Sequence, residues 1–118
     1  MILVDTSVWI QHLRTGSERL KSLLYDEGVL GHPFVLGELA CGSLKNRKEV
    51  LRLIESLPQA HIADHEEVMR FLDVEKLYGQ GLGWIDVHLL ASTLLSGTTI
   101  WTLDRKLHNA ALRLRISA

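Results

Sequence analysis

Four carboxylates lie where an apolar chain gives a charge little reason to be. Asp5 follows the run "MILV", and Asp104 follows "TIWTL". Asp86 falls in the first turn of "WIDVHLLASTLL", where Leu89, Leu90 and Thr93 share its helix face. Glu38 repeats the pattern in "PFVLGELACG", beside Val35, Leu39 and Cys41. Buried carboxylates are rare unless paired or bound to metal, and no Lys or Arg stands near Asp5, Glu38 or Asp86 in the chain. Four converging acids without counter-cations would repel one another, and some would stay protonated at neutral pH. A divalent cation removes that conflict. Carboxylate oxygens are hard ligands that suit Mg²⁺ or Mn²⁺, ions that keep several waters. Such an ion can activate a water and stabilise charge developing on a phosphoryl group. The competing readings are structural: Asp5 and Asp104 as helix N-caps, Glu38 as an exposed helix position. Position alone leaves both open.

The elements that must place these acids read as short strands alternating with helices. Ile2 to Val4 form a first strand, and "DTS" supplies cap residues for a helix carrying Trp9, Ile10 and Leu13. In that turn, Thr6 or Ser7 takes the capping role and leaves Asp5 free. Leu20, Leu23 and Leu24 mark a second helix ended by Gly28, and "VLG" is a brief strand. Pro33 opens the helix that holds Glu38. Val50 to Leu57 give an amphipathic helix stopped by Pro58; "HIA" reads as a short strand, and Asp64 caps the next helix. A Gly79–Gly81–Gly83 loop precedes the buried helix of Asp86, which Gly97 closes; "TTIWTL" is the most β-like run. This alternation predicts an α/β domain with a mainly parallel sheet, and ligands of such sheets bind outside the carboxyl ends of the strands. Asp5 and Asp104 then sit on one edge.

Composition bounds the partners. A chain of 118 residues that is 47% hydrophobic suits one compact domain, residues 1–118, with its own core. The net charge of −1 means that any nucleic acid is attracted by local patches or metal ions, because overall basicity is missing. No apolar stretch reaches the roughly 18 residues of a membrane span, and the N-terminus lacks signal-peptide features. The lone Cys41 makes no internal disulfide; it fits a reducing cytoplasm and reads as a small buried hydrophobe.

At "MILVDTSVWI", "PFVLGELACG", "GWIDVHLLAS" and "TIWTLDRKL" the chain resembles the PIN-domain ribonucleases, specifically the VapC-type toxins of toxin–antitoxin pairs. Any one of these stretches is a weak signal, but four in order at the right intervals are specific. The resemblance implies a PIN-like three-layer α/β fold, a parallel sheet flanked by helices with an acidic pocket at the strand ends. Carried over by position, Asp5, Glu38, Asp86 and Asp104 match the four acids that hold one or two Mg²⁺ or Mn²⁺ ions and orient the attacking water. Asp5 and Asp86 match the positions tied most directly to the metal. Thr6, Ser7 and Thr102 match polar positions that support the site, although helix capping and strand propensity account for them equally. Val87 and Leu107 depart from the small residue and the aromatic common at their positions, yet keep apolar character. The implied activity is metal-dependent endoribonuclease hydrolysis of RNA by a metal-activated water. The implied partners are a tRNA or rRNA substrate, a VapB-type antitoxin and a second copy of the chain.

Other signals carry less. Six histidines invite a zinc reading, but His61 and His65 straddle a helix start, and structural zinc needs four clustered ligands. His88 and His108 lie near two of the acids, with packing or surface roles as the simpler account. "GQGLG" resembles a phosphate loop but lacks the Lys–Ser/Thr of a P-loop and follows no strand. Among short basic groups, Arg105 and Lys106 are the candidates for steering RNA phosphates. Trp9, Ile10 and Leu13 with Leu20, Leu23 and Leu24 offer more apolar surface than a small sheet flank requires; the resemblance assigns the excess to an antitoxin groove. Two other functions compete: a PIN scaffold that binds without cutting, and a metal phosphohydrolase acting on another nucleic acid or a small phosphate ester.

Overall fold

Ile2, Leu3 and Val4 favour an extended backbone and have no polar side chain to present, so the strand they form belongs inside a sheet. The computed structural model describes residues 1–118 and places that strand, β1 (Ile2–Val4), at the sheet centre. It is followed by α1 (Thr6–Thr15), α2 (Glu18–Tyr25), β2 (Val29–Leu30), α3 (Pro33–Ala40) and α4 (Arg47–Glu55). Then come α5 (His65–Val74), α6 (Trp84–Leu95), β3 (Thr99–Trp101) and α7 (Arg105–Arg113). The strand order is β2-β1-β3 and every pairing is parallel, with Leu3 opposite both Leu30 and Ile100. The α/β expectation is borne out.

Single-residue parallel bridges widen the sheet on both sides, Gln59 beside Gly31 and Ser117 beside Ile100. Here the expected "HIA" strand is corrected. The pairing falls two residues earlier: the Gly31 amide donates to the Pro58 carbonyl, and the Ala60 amide to the Gly31 carbonyl. A bridge one residue long leaves no alternation in the sequence to betray it.

The core gathers Leu3, Val4, Val8, Leu89, Leu90, Ile100 and Leu107 with their neighbours. Trp9 and Leu20 are part of it, whereas Ile10 and Leu13 stay partly exposed, so only a fraction of the expected apolar excess reaches solvent. Two other expectations fail. Gly28 does not end α2: Asp26 is its C-cap, and Glu27 takes the left-handed turn at φ 56°. Cys41 is exposed, because α3 stops at Ala40 and its apolar face stops with it.

From β1 the chain crosses to β2 on one side, while β3 lies on the other. The carboxyl ends of β1 and β3 therefore flank a topological switch point, where open α/β sheets leave a crevice. Asp5 and Asp104 follow these two ends directly or within three residues.

Candidate active site at the carboxyl edge of the sheet

The sheet ladder itself holds Asp5. Its amide donates to the Trp101 carbonyl at 3.0 Å, carrying the β1–β3 pairing one residue past the strand. Its side chain is 6% exposed. Oδ2 accepts from Ser7 Oγ at 2.8 Å and Thr102 Oγ1 at 2.7 Å, while Oδ1 has no protein partner. Asp5 occupies the N-cap position of α1, yet its carboxylate caps nothing. Nor do Thr6 and Ser7 cap in its place, as the sequence suggested. Thr6 is the first helical residue and donates to Glu38 Oε1 at 2.7 Å; Ser7 Oγ accepts from the Leu103 amide at 3.0 Å. These hydroxyls hold carboxylates and tie α1 to the segment after β3.

Thr102 joins two of the acids. Its hydroxyl gives its proton to Asp5 and accepts the Asp104 amide at 3.0 Å. Asp104 satisfies both of its readings: Oδ1 caps α7 through the Leu107 amide at 2.9 Å, and the other oxygen has no protein hydrogen bond. Asp86 arrives from α6, where Oδ2 accepts the Gly83 amide at 2.9 Å. Burial raises the Asp86 carboxyl above its ordinary range; the Gly83 amide opposes this, and Asp5 and Asp104 push it higher. Asp86, carried by α6, thus feels the carboxylates that follow β1 and β3. Glu38 is exposed on the outer face of α3, whose Val35 and Leu39 are buried, and Thr6 ties it to the residue next to Asp5.

No basic side chain neutralises the group: the one ion pair in the protein is Lys21–Glu18. No three acid, His or Cys side chains close on a common point at ligating distance. The oxygens that lack a protein partner, Asp5 Oδ1 and one oxygen of Asp104, are hard donors of the kind Mg²⁺ or Mn²⁺ takes, and no imidazole or thiolate joins them to make a tetrahedral zinc site. Arg105 and Lys106 project from the first turn of α7, directly after Asp104. The Lys106 side chain lies against Gly81, where a Cβ would come within 2.7 Å of both its Cδ and Nζ.

The family model of the PIN domain matches residues 2–112. The chain belongs to the PIN-domain family. Over 111 residues it is 48% identical to Ribonuclease VapC32 of Mycobacterium tuberculosis, in both strain CDC 1551 / Oshkosh and strain ATCC 25618 / H37Rv. The match covers 93% of this chain and 90% of each relative. The resemblance to VapC-type PIN domains is borne out.

Sequence reasoning missed a buried layer of this PIN domain beside the acids. His32 is the N-cap of α3; its Nδ1 accepts the Phe34 amide at 3.0 Å, so Nε2 carries the proton toward Ser92 Oγ, also at 3.0 Å. That bond pins the start of α3, which bears Glu38, to α6, which bears Asp86. Burial, then His88, lowers the His32 imidazole to about 4. His88 is buried between Phe34 and Trp84, and its Nδ1 has no partner. Its pKa is lowered by burial, then by His65. The available signal was "HPF", a histidine in a cap position that Ser, Thr, Asp and Asn normally fill.

Proposed function

We propose that this PIN domain is the toxin of a toxin–antitoxin pair, a metal-dependent endoribonuclease that hydrolyses RNA phosphodiester bonds. The observation that carries the proposal is that Asp5 and Asp104, at the carboxyl edge of the sheet, both push the half-buried Asp86 carboxyl upward, and none of the three is in an ion pair. The similarity to Ribonuclease VapC32 over nearly the whole chain supports it.

Asp5 and Asp86 are the principal metal-holding carboxylates, and Asp104 and Glu38 complete the pocket directly or through water. A Mg²⁺ or Mn²⁺ ion bound there supplies water activation and neutralises charge on the phosphoryl group. Thr6, Ser7 and Thr102 fix the carboxylates, and Arg105 and Lys106 attract the RNA backbone. No Ser, Cys or His is needed as a nucleophile. The substrate is of the tRNA or rRNA class and the setting is the cytoplasm. Ile10 and Leu13, the exposed part of the α1 apolar surface, belong to the antitoxin groove, and the toxin acts as a homodimer.

The test is cleavage of RNA by the purified protein with Mg²⁺ or Mn²⁺ and its loss on chelation. Cleavage of single-stranded DNA or a phosphate ester alone would replace the substrate assignment. RNA binding with no cleavage under any divalent ion would make the protein a binding scaffold. Thr102→Val, which removes the link between Asp5 and the Asp104 amide, is expected to lower kcat by about 10- to 100-fold. Thr102→Ser is expected to stay within a few-fold of the parent. Equal rates for Thr102→Val and the parent would show that Thr102 is only a strand residue.

A further inference from the structure

The three tryptophans have different surroundings. Trp9 is buried in the core, and Trp101 carries the Arg19 guanidinium 4.2 Å from its ring centroid. Trp84 is 40% exposed at the first position of α6, two residues before Asp86. Exposure of one ring is ordinary by itself, as at Tyr25 and Tyr78; the rigid setting of Trp84 and the cation beside its loop set it apart. We infer that Trp84 is a stacking platform for one nucleobase of the RNA strand next to the cleaved bond; this rests on the RNA activity proposed above.

The ring is held in place before any ligand arrives. His88 meets it edge-on at 4.7 Å between centroids and 83°, and His65 leans on it at 5.3 Å and 51°. Neither lies flat against it, so the indole has no parallel stacking partner. Behind His88 stands Phe34 at 4.8 Å, and behind Phe34 stands His32 at 5.2 Å, locked to Ser92. A ring fixed through this ladder loses little freedom on binding.

The charges nearby select the occupant. Gly81, three residues before Trp84, gives space to the Lys106 chain, whose ammonium is in no ion pair. An aromatic platform and an unpaired cation thus border one loop, and the carboxylate Asp86 follows two residues later. Single-stranded nucleic acid is recognised by this combination, with a base on the ring and a phosphate at the cation. A duplex would keep its bases stacked on one another, so the strand must be unpaired at the cut.

The experiment measures cleavage of a short RNA oligonucleotide with Mg²⁺ by the parent, Trp84→Leu and Trp84→Phe. It also uses oligonucleotides carrying one abasic nucleotide at each position around the cut. Trp84→Leu is expected to raise KM about 5- to 150-fold, the range that one base–aromatic stack spans, with kcat largely kept. Trp84→Phe is expected to fall between. At one position the abasic nucleotide should penalise the parent and leave Trp84→Leu unaffected, a coupling that general loosening of α6 cannot produce. Equal KM values for Trp84→Leu and the parent would overturn the inference while leaving the ribonuclease proposal standing. The same holds for abasic penalties that match in both proteins at every position, or for a Trp84→Leu variant impaired only in its hold on a protein partner. No RNA cleavage by the parent would overturn both.

Discussion

Asp5→Asn is expected to fold normally and to lower RNA cleavage by on the order of 10³-fold. The reason lies in how the two carboxylate oxygens are used. Oδ2 accepts two hydroxyl protons, from Ser7 and Thr102, and Oδ1 accepts none from the protein. An asparagine can put its carbonyl oxygen where Oδ2 was and keep both bonds. Its amide NH₂ then replaces Oδ1 and turns a donor, with no negative charge, toward the place where a cation must sit. The thermal midpoint should therefore stay within a few degrees of the parent. Asp86→Asn should match it in activity. Expression without a partner should arrest growth in the parent and not in either variant. Cleavage persisting in both variants with chelator present would sink the metal–carboxylate mechanism. Continued toxicity of both inactive variants would mean that binding, and not hydrolysis, arrests growth.

The parts of this protein legible in its sequence are those where local chemistry and global fold agree. An Asp directly after "ILV" can be placed because a buried parallel strand is an uninterrupted apolar run, and its end is where chemistry collects. The α5 start was equally readable: Asp64 and Glu67 form a reciprocal capping box, a local signal needing no tertiary partner. The failures have the opposite character. Gln59 and Ser117 join the sheet through one residue each, and Glu27 takes a left-handed turn although Gly28 stands next to it. Cys41 looked buried because "LACG" continues an apolar pattern, yet the helix ends one residue before it.

The acid cluster shows the same division. That Asp5 and Asp104 stand at the carboxyl edge of the sheet was readable; which hydroxyl reaches which oxygen was not. Thr6 and Ser7 have the chemistry of caps, and only the approach of Glu38 from α3 and Leu103 from beyond β3 diverts them. Those contacts join residues 32 and 96 positions apart, a separation over which no local pattern carries information. His32 and Ser92, 60 apart, were invisible for the same reason.

His32 supplies the largest expected effect of pH on stability. Its Nδ1 faces the Phe34 amide, so a second ring proton would set two donors against each other inside the protein. The folded-state pKa of about 4 lies below the unfolded value of 6.5. Between those values the unfolded chain binds a proton that the folded protein refuses, so stability rises with pH across the window. The contribution is complete above about pH 6.5, shrinks as the pH falls, and is gone below about pH 4. Its size is about 3 kcal/mol, a large part of the roughly 5–15 kcal/mol that holds a domain together. His12 and His88 shift in the same direction, so the raw pH profile mixes several groups. The difference between parent and His32→Asn isolates one. Asparagine retains the cap at α3 but cannot titrate. In urea unfolding at pH 7, 5.5 and 4, the parent should lose about 3 kcal/mol more than His32→Asn on acidification. Identical pH slopes for the two proteins would mean that His32 is not held neutral. Because the added proton sits on Nδ1 and breaks the cap that starts α3, acid should loosen the helix that carries Glu38 before it unfolds the chain. RNA cleavage by the parent should then fall below pH 5 more steeply than cleavage by His32→Asn, measured at saturating Mg²⁺.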